Sequence, residues 1–191
     1  MLSKVAAIAL MLSAATASPT FRARQDDKCV VAYDACVAAG TAEVICSCDR
    51  TTCYGEDAAR IRECPKLVEG KTWTIANLTR YCIEGNTGCD YNFAVIADGK
   101  TERCTVIRMP VSDAATESWA NQPCTTGSDL TISWGYVAEP APAFAVVTVN
   151  KGAEVAWFGV SDINGGEVSP SSPFGSGDFG TLPASPVYTY N

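Results

Sequence analysis

The chain carries ten cysteines, which could serve as metal ligands, redox thiols or disulfides, and it contains no histidine. Zinc sites need four ligands at close spacing, commonly C-x2-C pairs supported by histidine. Cys82 and Cys89 instead stand seven positions apart in the stretch "RYCIEGNTGCDYNF". Disulfides are therefore the favoured chemistry of these cysteines, and we expect neither a metal nor another cofactor.

The spacing of the last four cysteines suits local bridges. Cys82 and Cys89, if bonded to each other, would close a loop of about eight residues and contribute about 2.5 kcal/mol in the chain-entropy model. A bond between Cys104 and Cys124 would close about 21 residues and contribute about 3 kcal/mol. Such bridges would staple the fold and would not take part in catalysis.

The absence of histidine removes Ser-His-Asp and Cys-His catalysis. Two carboxylates across one cleft could still hydrolyse a glycosidic bond. The candidate carboxylates are Glu84, Asp90, Asp98, Glu102, Glu117, Asp129, Glu139 and Glu154. Most fall at predicted turns or strand ends, where acidic side chains are ordinarily solvated. We therefore predict no catalytic residue and no enzyme. The alternative is a carboxylate-pair hydrolase, or an enzyme inhibitor, acting at the plant or fungal cell wall.

The N-terminus predicts export. A basic start precedes the apolar run "VAAIALMLSAA", and Ala15 and Ala17 occupy the small-residue positions that a signal peptidase reads. We predict a signal peptide over residues 1–17, a propeptide or linker over 18–26, and a secreted, extracellular protein. The formal net charge of −7 argues against nucleic acid and anionic membranes as partners.

Residues 27–66 hold six of the ten cysteines and predict a small disulfide-rich α-helical hairpin. The segment "DDKCVVAYDACVAAG" offers Asp26 or Asp27 as N-cap and Gly40 as the stop of a first helix. A second helical segment is predicted to follow, so that two antiparallel helices could be joined at both ends.

The cysteine spacings in this module favour particular bridges, because cysteines seven or eleven positions apart share a helix face. We predict two bridges between the helices: Cys29 with Cys64 and Cys36 with Cys53. This pairing leaves Cys46 and Cys48 in the connecting turn. Six cysteines allow fifteen connectivities, and one of these two could instead join the second module.

Residues 71–191 have the pattern of β-strands. The stretch "CDYNFAVIADGKTERCTVIRM" predicts a hairpin that turns at Asp98 and Gly99. In "DLTISWGYV", apolar and polar residues alternate as they do in a half-buried strand. Further strands are predicted for "TWTIANLTR", "AFAVVTVN", "EVAWFGVSD" and "VYTYN". The prediction is a mainly-β fold, a compact antiparallel β-barrel or sandwich of about seven strands.

Asn77 begins an N-glycosylation sequon, Asn-Leu-Thr. It shares the parity of Trp73 and Ile75, so a regular strand would turn it inward. Only a bulge or the end of the strand would expose Asn77 to a glycosyltransferase.

The segment from Asn164 to Pro186 is rich in Gly, Ser and Pro and is predicted to be loop throughout. It carries Phe174 and Phe179. Exposed aromatic residues on such a loop would be recognition elements, although the two rings could equally pack inward as loop anchors.

The order of these motifs resembles a known family. "TWTIANLTRYC", "CDYNF", Cys104, the "PC" at Cys124, "ISWGYV", "FAVVTV" and "AWFGV" are similar to the fungal secreted family of the Alternaria alternata major allergen. Within that family they resemble most the Verticillium-type branch of plant-defence elicitors. The resemblance covers about residues 71–191, which would form the allergen-like β-barrel domain.

The resemblance implies an antiparallel β-barrel or sandwich, with Cys82 paired to Cys89 and Cys104 to Cys124. It also implies a secreted effector, elicitor or allergen that recognises a host protein, such as a plant defence protein, through its surface. The six-cysteine module is not part of the family pattern. The cysteine that supports dimerisation in the allergen branch has no clear counterpart, so the oligomeric state stays open.

Overall fold

The computed structural model describes residues 28–54 and 64–190, in which two helices precede a large antiparallel sheet. The helices are α1, Lys28–Ala38, and α2, Glu43–Cys53. Within the described ranges, neither helix has the length and apolarity to cross a membrane. The predicted signal peptide, the propeptide or linker and the N-cap at Asp26 or Asp27 lie outside these ranges.

The two helices form a hairpin, but its bridges differ from the prediction. The pairs are Cys29 with Cys53, Cys36 with Cys46, and Cys48 with Cys64. The predicted pairs, Cys29 with Cys64 and Cys36 with Cys53, are therefore wrong. The cause is the position of the second helix, because α2 occupies the segment that was predicted to be the connecting turn.

Helical geometry accounts for the observed pairs. Cys46 and Cys53 are seven positions apart on one face of α2, so each meets one of the two cysteines on α1. Gly40 ends the first helix as predicted, with φ of +78° and its N–H donating to the carbonyl of Val37 at 2.9 Å. Cys48 lies on another face and joins Cys64, two residues before the first strand.

Nine strands follow within residues 64–190, which exceeds the predicted number of about seven. Their bounds are β1 Lys66–Cys82, β2 Cys89–Ala97, β3 Lys100–Arg108, β4 Trp119–Pro123, β5 Leu130–Val137, β6 Phe144–Lys151, β7 Glu154–Val160, β8 Gly177–Gly180 and β9 Ser185–Thr189. The two additional strands, β4 and β8, are short and were not among the predicted strands, and β8 lies in the segment predicted as loop. The prediction that residues 164–186 form only loop is thus wrong.

The sheet order is β3-β2-β1-β9-β7-β6-β5-β4, with β8 beside the second half of β1, and every pairing is antiparallel. The two end strands approach each other without a ladder. The Cys104–Cys124 bridge joins them, and the N–H of Thr125 donates to the carbonyl of Thr105 at 2.9 Å. The result is a nearly closed antiparallel β-barrel, and the predicted fold class is confirmed.

Strand alternation fills the barrel. Leu130, Ile132 and Trp134 are almost fully buried on β5, as the pattern predicted. The hairpin between β2 and β3 also matches the prediction, since Ala97 pairs with Lys100 around a two-residue turn in which both residues have positive φ.

Candidate recognition surface

The Cys82–Cys89 bridge closes the turn between β1 and β2, and both cysteines are buried. The resemblance implied this pairing and the one between Cys104 and Cys124. The hydroxyl of Ser176, from the distant Gly- and Ser-rich segment, accepts the N–H of Cys82 at 2.9 Å. The bridge therefore anchors a loop as well as a turn.

A single bulge in β1 controls which side chains enter the barrel here. Pairing with β2 shifts between Ala76 and Thr79, and Asn77 has φ of +52°. The extra residue reverses the parity, so Leu78 and Arg80 point inward after Trp73 and Ile75. Asn77 itself is exposed, which meets the condition stated for the sequon.

Arg80 is buried to 1% exposure, and no carboxylate of the described residues pairs with it. Its Nη2 donates to the carbonyl of Ile163 and to Oδ1 of Asn164, both at 2.5 Å. Nε donates to the carbonyl of Gly175. Burial lowers the pKa of Arg80. The guanidinium thus ties two parts of the 161–184 segment to the barrel wall.

The 3-10 turn at Ala114–Thr116 belongs to the same assembly. The carbonyl of Ala115 accepts from Nη1 of Arg80 at 3.4 Å, and its N–H donates to Oδ1 of Asn86 at 2.7 Å. The Arg80 guanidinium also lies 5.3 Å from the ring centroid of Trp134, within the range of a cation–π contact. Sequence analysis missed Arg80, because only the bulge turns it inward.

Phe174 projects from this anchored loop. It is 44% exposed, whereas its neighbours Pro173 and Gly175 are both buried. Gly175 has φ of +89°, and a Cβ added there would lie 2.4 Å from Cβ of Ala115 and 3.0 Å from Sγ of Cys82. The backbone beside Phe174 is therefore packed against the barrel with no room for a side chain.

Phe174 shares a depression of about 530 Å³ with the disulfide turn. Ile83 of that turn is 37% exposed and Val168 of the facing loop is 61% exposed. We call these three residues, Ile83, Val168 and Phe174, the Phe174 patch. Phe179 lies apart from it on β8, half-buried and packed against the core, where it lines a different cleft. The structure therefore separates the two predicted recognition residues.

The predicted carboxylates do not gather in one cleft. Five of the eight form ion pairs with a lysine or arginine of the described residues: Asp98, Glu102, Glu117, Asp129 and Glu154. Nζ of Lys71, for example, lies 2.9 Å from Oδ1 of Asp98 and 2.7 Å from Oε1 of Glu154, and the hydrogen bonds that it donates to these two carboxylates raise the pKa of Lys71. Among the described residues, no three Cys, Asp or Glu side chains could hold a metal ion.

Two acidic residues outside the predicted set share a cleft. Asp162 and Asp178 line a cleft of about 880 Å³ between the end of β7 and β8. Neither was singled out from the sequence, because Asp178 falls in the segment predicted to be loop and Asp162 is the last residue of the predicted strand "EVAWFGVSD".

The sequence model of the family described as Effector TSP1 matches residues 74–184, more than half of the chain. The chain belongs to this family of fungal effectors. A search of the curated proteins found no match. The five disulfides and membership of the effector family are both consistent with a secreted, extracellular protein.

The part matched by the effector family contains every component of the surface described above. It includes Arg80, the Cys82–Cys89 bridge and the Phe174 patch, and it leaves out both helices. The anchored loop and the residues that hold it therefore lie within the matched range.

Proposed function

We propose that this protein is a secreted effector that binds a host protein through the Phe174 patch and carries out no catalysis. Membership of the effector family supports the general role. The observation that carries the specific one is an aromatic side chain, 44% exposed, held between two buried residues on an anchored loop. The resemblance to plant-defence elicitors favours a plant host and an extracellular defence protein as the partner.

The physical basis is preorganisation. Aromatic side chains offer a large contact area, and the residues that dominate binding energy sit in well-packed, desolvated centres of interfaces. A loop already fixed by Arg80, Gly175 and Ser176 loses little conformational entropy when a partner covers Phe174. Truncation of such an anchor commonly costs about 2 kcal/mol or more, which is about thirtyfold in affinity.

The test compares Phe174→Ala with Ile96→Ala in leaf infiltration. Ile96 is 41% exposed, similar to Phe174, but lies on β2 near the opposite end of that strand from Cys89. We expect the wild type and the Ile96 variant to produce the same defence response. The Phe174 variant should need about thirtyfold more protein for an equal response.

Two results would count against the proposal. Equal dose–response curves for the Phe174 variant and the wild type would remove the patch from the mechanism. The absence of a defence response in every host tested, together with no plant protein recovered in pull-down, would remove the elicitor role itself.

A hydrolase is the second candidate, because Asp162 and Asp178 line one cleft. Purified protein should release no sugar from plant cell-wall glycans. Release that disappears in both Asp162→Asn and Asp178→Asn variants, but persists in a Glu69→Gln variant of an exposed acid on β1, would replace the non-enzymatic interpretation.

A further inference from the structure

The barrel wall has an opening beside the second half of β7. Lys151 and Glu154 close the turn between β6 and β7, so alternate residues of β7 turn their N–H and C=O groups towards β9. Val155 is the first of these and pairs with Tyr188. The next hydrogen-bonded pair in this register would join Trp157 to Pro186, and proline has no N–H to donate. The pairing recorded between β7 and β9 ends at Val155.

The segment that precedes β9 also runs away from β7. The N–H of Leu182 donates to the carbonyl of Ile75 on β1 at 2.8 Å, which draws this segment towards the opposite strand. After Trp157, Gly159 is the next residue of β7 whose N–H and C=O groups point away from β6. It is exposed and lines two clefts of about 880 and 740 Å³. Apart from Gly159 itself and its two chain neighbours, no heavy atom of the described residues lies within 4 Å of the position that a Cβ would take there.

A glycine in a strand often marks a place where another backbone approaches closely. Here it coincides with a stretch of β7 that pairs with no described residue on the side of β9, and a free edge is a template for an added strand. The half-buried Trp157 forms one wall of the opening, with its ring centroid 5.3 Å from that of Tyr188. The opening thus combines backbone hydrogen-bonding groups with an aromatic wall.

The charge of the two clefts indicates what could enter them. Glu43 lines one cleft and Asp162 and Asp178 line the other, and neither has a lysine or arginine among the described residues that line it. An incoming segment with basic side chains would meet only acidic charge along this path.

We propose that the edge of β7 at Trp157–Gly159 binds an extended, lysine- or arginine-containing segment of a partner protein by strand addition. The backbone of that segment pairs with Gly159, and its basic side chains lie near Asp162 and Asp178. This site is separate from the Phe174 patch and uses main-chain hydrogen bonds for affinity, with side-chain contacts for selection.

The first test uses two substitutions at one position. Gly159→Pro removes the N–H that faces the opening, whereas Gly159→Ala keeps it and places a methyl group in open space. The probe is a fluorescent decapeptide of alternating threonine and lysine, with binding followed by anisotropy. We expect the alanine variant to bind as the wild type does and the proline variant to bind about tenfold more weakly. Equal binding by the two variants would overturn the proposal.

The second test keeps the wild-type protein and changes the probe, so it does not depend on the folding of a variant. N-methylation of alternate amides along one edge of the peptide should abolish binding, and replacement of lysine by glutamate should weaken it by about tenfold or more. Undiminished binding of the N-methylated peptide would refute strand addition, and undiminished binding of the glutamate peptide would refute charge selection. Self-association of the wild type that Gly159→Pro abolishes would assign the edge to a second copy and overturn the proposal.

Discussion

Replacing Arg80 by methionine should detach the loop that presents Phe174. The guanidinium is the shared donor for the carbonyls of Ile163 and Gly175 and for the side chain of Asn164. Methionine has a similar length but no donor, so these acceptors would have to remain unsatisfied or move into water. The alternative, an unchanged loop over a methionine, would leave several polar groups buried without partners.

The size of the effect follows from opposing contributions. Three unsatisfied acceptors cost about 1–3 kcal/mol each if the loop stays in place. The methionine also removes a buried charge that has no counter-charge, and this offsets part of that cost. Movement of the loop limits the remaining cost, because the acceptors can then reach water. We expect a net loss of about 3–5 kcal/mol in the free energy of unfolding, comparable to breaking a buried charged network. Arg80→Lys should lose less, because one ammonium keeps the charge but cannot reach all the acceptors as a planar fork does.

The assay is urea denaturation combined with amide hydrogen exchange. Arg103→Met is the matched control, since Arg103 is exposed on β3, and its free energy of unfolding should change by no more than about 0.5 kcal/mol. Exchange should accelerate most in the Arg80 variant at Ser176 and in β8, whereas β5 and β6 should lose protection only as far as the global free energy of unfolding falls. Stability and exchange equal to those of the control would refute the assigned role of Arg80.

Three further predictions concern the barrel and the sequon. Replacing both Cys104 and Cys124 by alanine should lower the free energy of unfolding by about 3 kcal/mol in urea, because this bridge joins the two end strands. Tyr91→Phe should be nearly neutral at pH 7, since the Tyr91 hydroxyl has no hydrogen-bond partner within the described residues. Burial raises the pKa of Tyr91 above 10.0, so the tyrosine of the unfolded state loses its proton at a lower pH than that of the folded state. The free energy of unfolding of the wild type should therefore fall as the pH rises above 10.0, and it should fall less in the phenylalanine variant. Denaturation of both proteins at pH 7 and above pH 10.0 measures this difference. Asn77→Gln and Thr79→Ala should remove the same glycan mass from protein secreted by a eukaryotic host, whereas Thr79→Ser should retain it.

The strands of the barrel were predictable wherever apolar residues alternate without interruption. Leu130, Ile132 and Trp134 are inward-facing because the β5 pattern has no break. The Asp98–Gly99 turn was equally clear, since both residues tolerate the positive φ that a two-residue hairpin needs. These features depend on neighbours in sequence, and so the sequence alone could reveal them.

The helical bridges and β8 were not predictable, for different physical reasons. Cysteine pairing depends on which segment forms the second helix, and the composition of residues 43–53 gave no strong helical signal. Strand β8 contains Phe179 between glycines and an aspartate, so no alternation marks it. Its pairing with β1 is a long-range contact, and no local pattern specifies such a contact.

The position of Phe174 ultimately depends on a residue far from it in sequence. Without the bulge at Asn77, β1 would keep the parity of Trp73 and Ile75, and Arg80 would face solvent. The carbonyl of Gly175 would then lose its donor, and Ser176 would no longer lie opposite the inward-facing Cys82. One extra residue in one strand therefore determines both the buried cation and the loop it holds. The composition of residues 164–186 favours Phe174 and Phe179 equally, whereas the register of β1 and its contacts single out Phe174.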